Sequence, residues 1–238
     1  YSLKNNCMKL TVKYIGLVCS IFLLVNCGGG EKKETKQKVD NRIAKGTVKQ
    51  HGEDIQIQYG GLFRMNESST FKTLFPQGLG DEVSARIGSQ MFEGLVKLDE
   101  KTLDVIPALA KSFTSNEAGD VWTFKLQDSV YFHDDECFEG GKGRKFNAHD
   151  VKYCFDMLGT AYPQNNTFYI IQNKIKGVNE HYEKTGKGET INGGVEGVKV
   201  IDDLTVEISL TKPLSFFPKV LVHNGCWIFP KEAFEKYG

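Results

Sequence analysis

The chain has 238 residues, with 30 Lys and Arg balanced by 30 Asp and Glu, 40% hydrophobic residues and 25% charged ones. These values belong to folded globular proteins and exclude a disordered or many-span membrane chain. Zero net charge also removes the electrostatic basis for nucleic acid as a main partner.

Charge is unevenly placed. Residues 1–26 carry Lys4, Lys9 and Lys13 and no acid, leaving 27 basic against 30 acidic residues beyond them. The chain opens on Tyr1, and Met8 is the expected natural start. From Met8, the basic Lys9 and Lys13, the apolar Tyr14–Val25 and the small residues Cys27-Gly28-Gly29-Gly30 read as a secretory signal. The apolar run is shorter than the roughly 20 residues a membrane span needs. Leu24-Val25-Asn26-Cys27 resembles a bacterial lipobox, which implies acylation of Cys27 and a lipid anchor; the alternative is a plain secretory signal with an incidental Cys. Residues 28–50 hold few apolar side chains and no aromatic, so they are expected to form a flexible tether. Beyond Cys27, the thiols Cys137, Cys154 and Cys226 allow at most one internal pair, with Cys137–Cys154 the first to test.

Ile55–Tyr59 alternates like a strand, Gly60-Gly61 interrupts it, and Leu62–Met65 resumes the pattern. Asp81 is expected to cap a helix reaching Phe92, with Val83, Ile87 and Met91 on one face and Gly94 as its stop. Val121–Leu126 places Trp122, Phe124 and Leu126 on one face. Gln127-Asp128-Ser129 then predicts a hairpin into Val130–His133. Asn147 predicts a helix N-cap with Asp150 three residues on, and Phe146 with Val151 predicts a hydrophobic staple. Val151, Cys154, Phe155 and Leu158 form that helix's apolar face. A second helix is predicted over Phe168–Tyr182, with Ile171, Ile175, Val178 and Tyr182 in register. Strands at Val195–Ile201 and Leu204–Leu210 flank an Asp202-Asp203 turn, and Pro230 opens a last helix over Lys231–Tyr237.

The cluster His133-Asp134-Asp135-Glu136-Cys137 has metal-competent side chains, but contiguous residues do not converge, and a solvated loop is the stronger reading. No GxSxG, HExxH or phosphate-cradling glycine pattern is present. The residues therefore give no case for an enzyme and imply no cofactor. The mixture of elements is α/β or α+β.

Pro107–Phe113, Val121–Leu126 and Val130–Asp134 together closely resemble the extracytoplasmic solute-binding proteins of the peptide/nickel class, the oligopeptide- and dipeptide-binding family of ABC importers. In the same order, Met91–Leu95 looks like the family's (L/M)(F/Y)EGL segment and Phe146–Val151 like its helix start. Val198–Val206 looks like its DDxT hairpin, and Pro230–Ala233 like its PKEA corner. The resemblance covers roughly residues 54–238. It implies an α/β, periplasmic-binding-protein type II-like two-lobe fold with only the first lobe segment and the small domain present. The expected division is signal 8–27, tether 28–50, first segment of lobe I 51–92, small domain 93–230, and a return toward lobe I over 231–238.

The same resemblance implies a lipid-anchored monomer that captures peptides outside the cytoplasmic membrane, in the periplasm or at the cell surface, and hands them to ABC permease subunits. It matches Leu79, Gly80, Asp81 and Glu82 to the family's cleft-lining loop, where a peptide backbone adds like an extra strand. Asp81 and Glu82 can face a ligand amine there, or simply cap the helix that follows. Two alternatives stand beside peptide capture. One is a nickel-chelate, haem or sugar ligand on the same scaffold. The other is a truncated surface lipoprotein that binds a protein partner through an exposed apolar patch around Phe216, Phe217, Trp227 and Phe229.

Overall fold

The computed structural model describes residues 44–50, 53–60 and 64–238. These fall in two compact units divided between Met65 and Asn66. The signal, Cys27 and most of the tether lie outside the described residues.

In the first unit, β1 (Ala44–Gln50) and β2 (Glu53–Tyr59) form an antiparallel hairpin, with Gln50 paired to Glu53 and Ala44 to Tyr59. The cross-strand pair Thr47 and Gln56 is tied by a 2.7 Å bond from Gln56 Nε2 to Thr47 Oγ1. The tether expectation therefore stops short of residue 50. Its last seven residues are strand, because β2 supplies the hydrogen-bonding partner that composition alone does not reveal.

The second unit runs from Asn66 to Gly238 and includes both the 66–92 stretch and the expected small domain. Its helices are α1 (Glu82–Gly88), α2 (Ala148–Leu158), α3 (Val178–Gly186), α4 (Phe217–Val220) and α5 (Lys231–Tyr237). Short strands β3 (Val96–Leu98) and β4 (Val105–Pro107) pair with each other. A four-stranded antiparallel sheet then takes the order β5-β6-β8-β7, from Ala110–Ser115, Val121–Leu126, Thr205–Ser209 and Val198–Asp202. The core joins Phe124 and Leu126 of β6 and Val206 and Ile208 of β8 to the apolar side of α2. Each large side chain buried there stabilises the fold by about 1.5–3 kcal/mol.

α2 begins where its local chemistry dictates. The Asn147 side chain accepts from the helix's first N–H groups, and Asp150 reaches back to the Asn147 N–H at 2.9 Å, completing a capping box. Phe146, Val151, Cys154, Phe155 and Leu158 are all buried.

Three expectations are corrected by partners distant in sequence. β6 does not form a hairpin with Val130–His133; it lies between β5 and β8, and Tyr131 makes only a single bridge to Lys145. The helix expected over Phe168–Tyr182 is broken into a 3-10 turn at Phe168–Ile170 and α3. Asn173 at φ 60° and Gly177 at φ 74° cannot continue a right-handed helix, although Ile171, Ile175 and Val178 are buried as the periodicity requires. α1 ends at Gly88 and leaves Met91 exposed; Trp227 lies over Gly88, where an added Cβ would meet its ring at 2.9 Å.

The apolar patch expected around Phe216, Phe217, Trp227 and Phe229 is also corrected. Phe217 faces inward beside Trp122 and Phe229 packs edge-on against Phe75; both are buried, Trp227 is partly covered, and Phe216 alone is exposed. The three cysteines of this unit are free thiols. Cys154 points into the core, where its Sγ lies 3.2–3.3 Å from the Phe229 backbone O and N, so it does not pair with Cys137.

Candidate functional site

The ligand loop proposed from sequence follows a 3-10 turn at Pro76–Gly78, whose first position suits proline. This turn is fastened to α2 and to the segment after it. The Gln77 amide donates to the Cys154 carbonyl at 2.7 Å and accepts from the Tyr162 hydroxyl at 2.6 Å. The Gln77 carbonyl accepts from the Asn166 N–H and from Thr167 Oγ1, and the Gly78 carbonyl from Asn166 Nδ2. Gln77 and Thr167 are completely or almost completely buried.

Beyond the turn the backbone extends. Leu79 (φ −65°, ψ 115°) and Asp81 (φ −136°, ψ 155°) are both in the extended region, with exposed Gly80 between them. Leu79 is buried, and its Cδ1 lies near the α1 backbone at Gly88. A Cβ built on Gly80 would meet nothing within 4 Å. Among the described residues, neither the N–H nor the C=O of Gly80 has a hydrogen-bond partner.

The two acids of the loop are differently employed. Both oxygens of Asp81 are engaged by Ser84, one by its N–H at 2.9 Å and the other by its hydroxyl at 2.8 Å. The backbone bond first, and then the hydroxyl, hold the Asp81 carboxyl below its ordinary range. Its role in the fold is the helix cap. Glu82 is exposed and pairs with Arg86 one turn along α1.

Beside this loop a cleft of about 790 Å³ is lined by Phe75, Pro76, Gly78, Phe92, Phe229 and Phe234, among others. Sequence reasoning left Gln77 and this cleft unremarked. The Gln has no local partner, and the aromatic rings come from three separate stretches of chain. The acids of the 133–137 loop are already engaged: Asp134 binds Lys142 and the Gly143 N–H, and Asp135 the Cys137 N–H and, across the fold, the Tyr237 hydroxyl. No group of three or more potential metal-ligating side chains occurs among the described residues. Among those residues, too, no helix is long and apolar enough to cross a membrane.

Known proteins are similar to this chain in sequence and in fold. The periplasmic oligopeptide-binding protein OppA of Escherichia coli (strain K12) is 33% identical over 178 residues, covering 73% of this chain and 29% of its own. The glutathione-binding protein GsiB of Shigella boydii serotype 4 (strain Sb227) is 31% identical over 170 residues, covering 71% and 27%. Among solved structures, the periplasmic oligopeptide-binding protein OppAIV of Borrelia burgdorferi has a TM-score of 0.59 at 30% identity, over 70% of this chain and 31% of that one. Peptide-bound OppA of Listeria monocytogenes shares the fold, with a TM-score of 0.59 at 20% identity over 72% and 31%. The chain thus spans between 27% and 31% of the length of these relatives. The fold is that of type II periplasmic binding proteins, and the described residues build a part of it. Residues 104–237, more than half of the chain, match the model of the bacterial extracellular solute-binding proteins, family 5 Middle, and the chain belongs to that family.

Proposed function

We propose that the chain is part of a peptide-binding component of an ABC importer, anchored outside the cytoplasmic membrane by acylated Cys27 and working as a monomer with permease subunits. The observation that carries the peptide reading is the Leu79–Asp81 edge. It is short and extended, held at both ends, and its Gly80 N–H and C=O have no partner among the described residues. Such an edge suits an extended peptide, whose backbone supplies the matching C=O and N–H irrespective of its side chains. Gly80 leaves room for that approach because no side chain stands in the way. Affinity then comes from main-chain hydrogen bonds, and closure of a second lobe would exclude water from them. Of the two acids we assign exposed Glu82, which pairs with Arg86, to a peptide amine, because both oxygens of Asp81 are already engaged by Ser84.

The 31% identity to a glutathione-binding protein favours a second, narrower reading, in which the ligand is a small peptide-like thiol. One experiment separates the two: thermal unfolding of the full-length mature protein with pooled di- to pentapeptides, and separately with glutathione. A ligand at 100 times its Kd adds about 2.7 kcal/mol of stability and raises Tm visibly. A rise with peptides supports capture of peptides, and a rise with glutathione alone supports the narrower reading. No rise with either removes this substrate class.

A further inference from the structure

We propose that Gln77 is the positioning residue of the ligand loop, the buried pin that holds the Gly80 edge in its peptide-competent conformation. The inference rests on the reading of Leu79–Asp81 as the peptide-pairing edge.

The loop is fixed at two points, and their chemistry differs. Downstream, Asp81 is bound to Ser84 of its own helix, whose hydroxyl also accepts the Lys72 N–H, so this anchor reaches only 12 residues back along the chain. Upstream, Gln77 is fully buried and joined to residues 77 to 90 positions away in sequence. Its amide uses both ends at once, the NH₂ on the Cys154 carbonyl of α2 and the oxygen on the Tyr162 hydroxyl. Its carbonyl takes the Thr167 hydroxyl and the Asn166 N–H. These bonds join the turn to the end of α2 and to the segment after it. Only an uncharged amide of this length satisfies both side-chain partners fully; ionised Glu lacks the donor, and Met lacks the donor and offers only a weakly accepting sulfur.

Gly80 lies three residues from this pin, and its own backbone bonds to nothing among the described residues. Its position is therefore inherited from Gln77 on one side and the α1 cap on the other. If the pin is removed, the loop samples other conformations, and apparent affinity falls in proportion to the fraction still competent.

The test uses the full-length protein and two variants, Gln77→Met and the milder Thr167→Val, which removes one hydroxyl bond to the Gln77 carbonyl. Thr211→Val is the control. It deletes a side-chain bond to the Asn173 carbonyl, and neither residue bonds to Gln77 or to its partners. Peptide Kd is measured by calorimetry, and amide exchange over residues 75–81 by mass spectrometry. The expected result is about ten-fold weaker binding for Gln77→Met, a smaller loss for Thr167→Val, and faster exchange at the Gly78 and Leu79 amides in both. The control should keep the wild-type Kd and loop exchange even where its Tm falls as far. Unchanged Kd and loop exchange in the Gln77 and Thr167 variants overturns the proposal, as does an equal loss in the control. If the wild-type protein binds no peptide, the binding reading fails by itself, and the exchange rates alone then decide whether Gln77 pins the loop. Should Gln77→Met fail to fold, Thr167→Val carries the same comparison.

Discussion

Arg144 and Asp150 form a two-pronged ion pair, Nη1 to Oδ2 at 2.9 Å and Nη2 to Oδ1 at 2.6 Å, with Asp150 almost wholly buried. The same guanidinium holds Glu232 of α5 through Nε at 2.6 Å and Nη2 at 2.9 Å, so one Arg joins the start of α2 to the last helix. Its planar fork meets two carboxylates at once, which a Lys ammonium cannot do.

Removing this Arg leaves the buried Asp150 carboxylate without its countercharge. Arg144→Met is expected to lower stability by roughly 2–3 kcal/mol, with Arg144→Lys recovering only part of it. Urea unfolding of the three proteins measures this, and equal midpoints for all three would count against it. The Glu232 end adds a pH signature. Hydrogen bonding to Arg144 depresses the Glu232 pKa in the fold, so its contribution is present above the unfolded carboxyl value and is lost as pH falls through the folded one.

Two imidazoles predict a second pH effect. Thr160 Oγ1 donates to the Asp156 carbonyl, so it accepts from His181 Nε2–H, which in the neutral ring leaves Nδ1 as the unprotonated nitrogen. His223 Nδ1 accepts the Gly225 N–H, which leaves Nε2–H for the Tyr169 hydroxyl. Burial lowers both pKa values from the ordinary 6.5. A depressed histidine means that the unfolded chain takes up protons the fold resists. Stability is therefore complete above about 6.5 and declines as pH falls below it. Tm measured from pH 7.5 to 5.5 should fall, and His181→Gln and His223→Gln should each flatten the slope. A slope unchanged in both variants would remove the histidines as its cause.

Two expectations that rest on purely local chemistry agree with the structure. The capping box at Asn147 and the helix opened by Pro230 involve residues within a few positions of each other, so the sequence carries their whole cause. The failures are non-local. Phe124 of β6 pairs with Phe113 on one side and Val206 on the other, and no pattern within Val121–His133 announces a partner some 80 residues downstream. Asn173 and Gly177 turn the chain back so that Ile175 can bridge to Leu210, which apolar periodicity cannot show. At the site, the position of Leu79–Glu82 was available only through family resemblance. Gln77, flanked by Pro76 and Gly78, reads as an ordinary turn residue until Cys154 and Tyr162 are brought to it.

The cysteines make a chemical prediction. Cys154 and Cys226 are buried in the core, and burial pushes both thiols upward, Cys226 to about 12. Cys137 is partly exposed on the 135–138 loop. Alkylation of the native protein under non-reducing conditions should modify Cys137 and spare the other two, with all three labelled after denaturation. Peptide mapping that finds a Cys137–Cys154 disulfide would contradict the packing of Cys154 against Phe229.

Gly80 offers the most direct test of the ligand edge. It is exposed, its backbone φ is not positive, and an added methyl meets nothing within 4 Å, so Gly80→Ala should leave Tm unchanged or raise it slightly. Gly80→Pro removes the N–H, and the extended Leu79 before it accepts a following proline. In the full-length protein it should therefore weaken peptide binding by about ten-fold, the value of one backbone hydrogen bond in a closed, water-excluded site. The alanine variant should retain most of the affinity. With Tm measured on both variants, the contrast at one exposed position separates loss of binding from loss of fold stability. Equal peptide affinities for the alanine and proline variants would show that the ligand backbone does not pair with this edge.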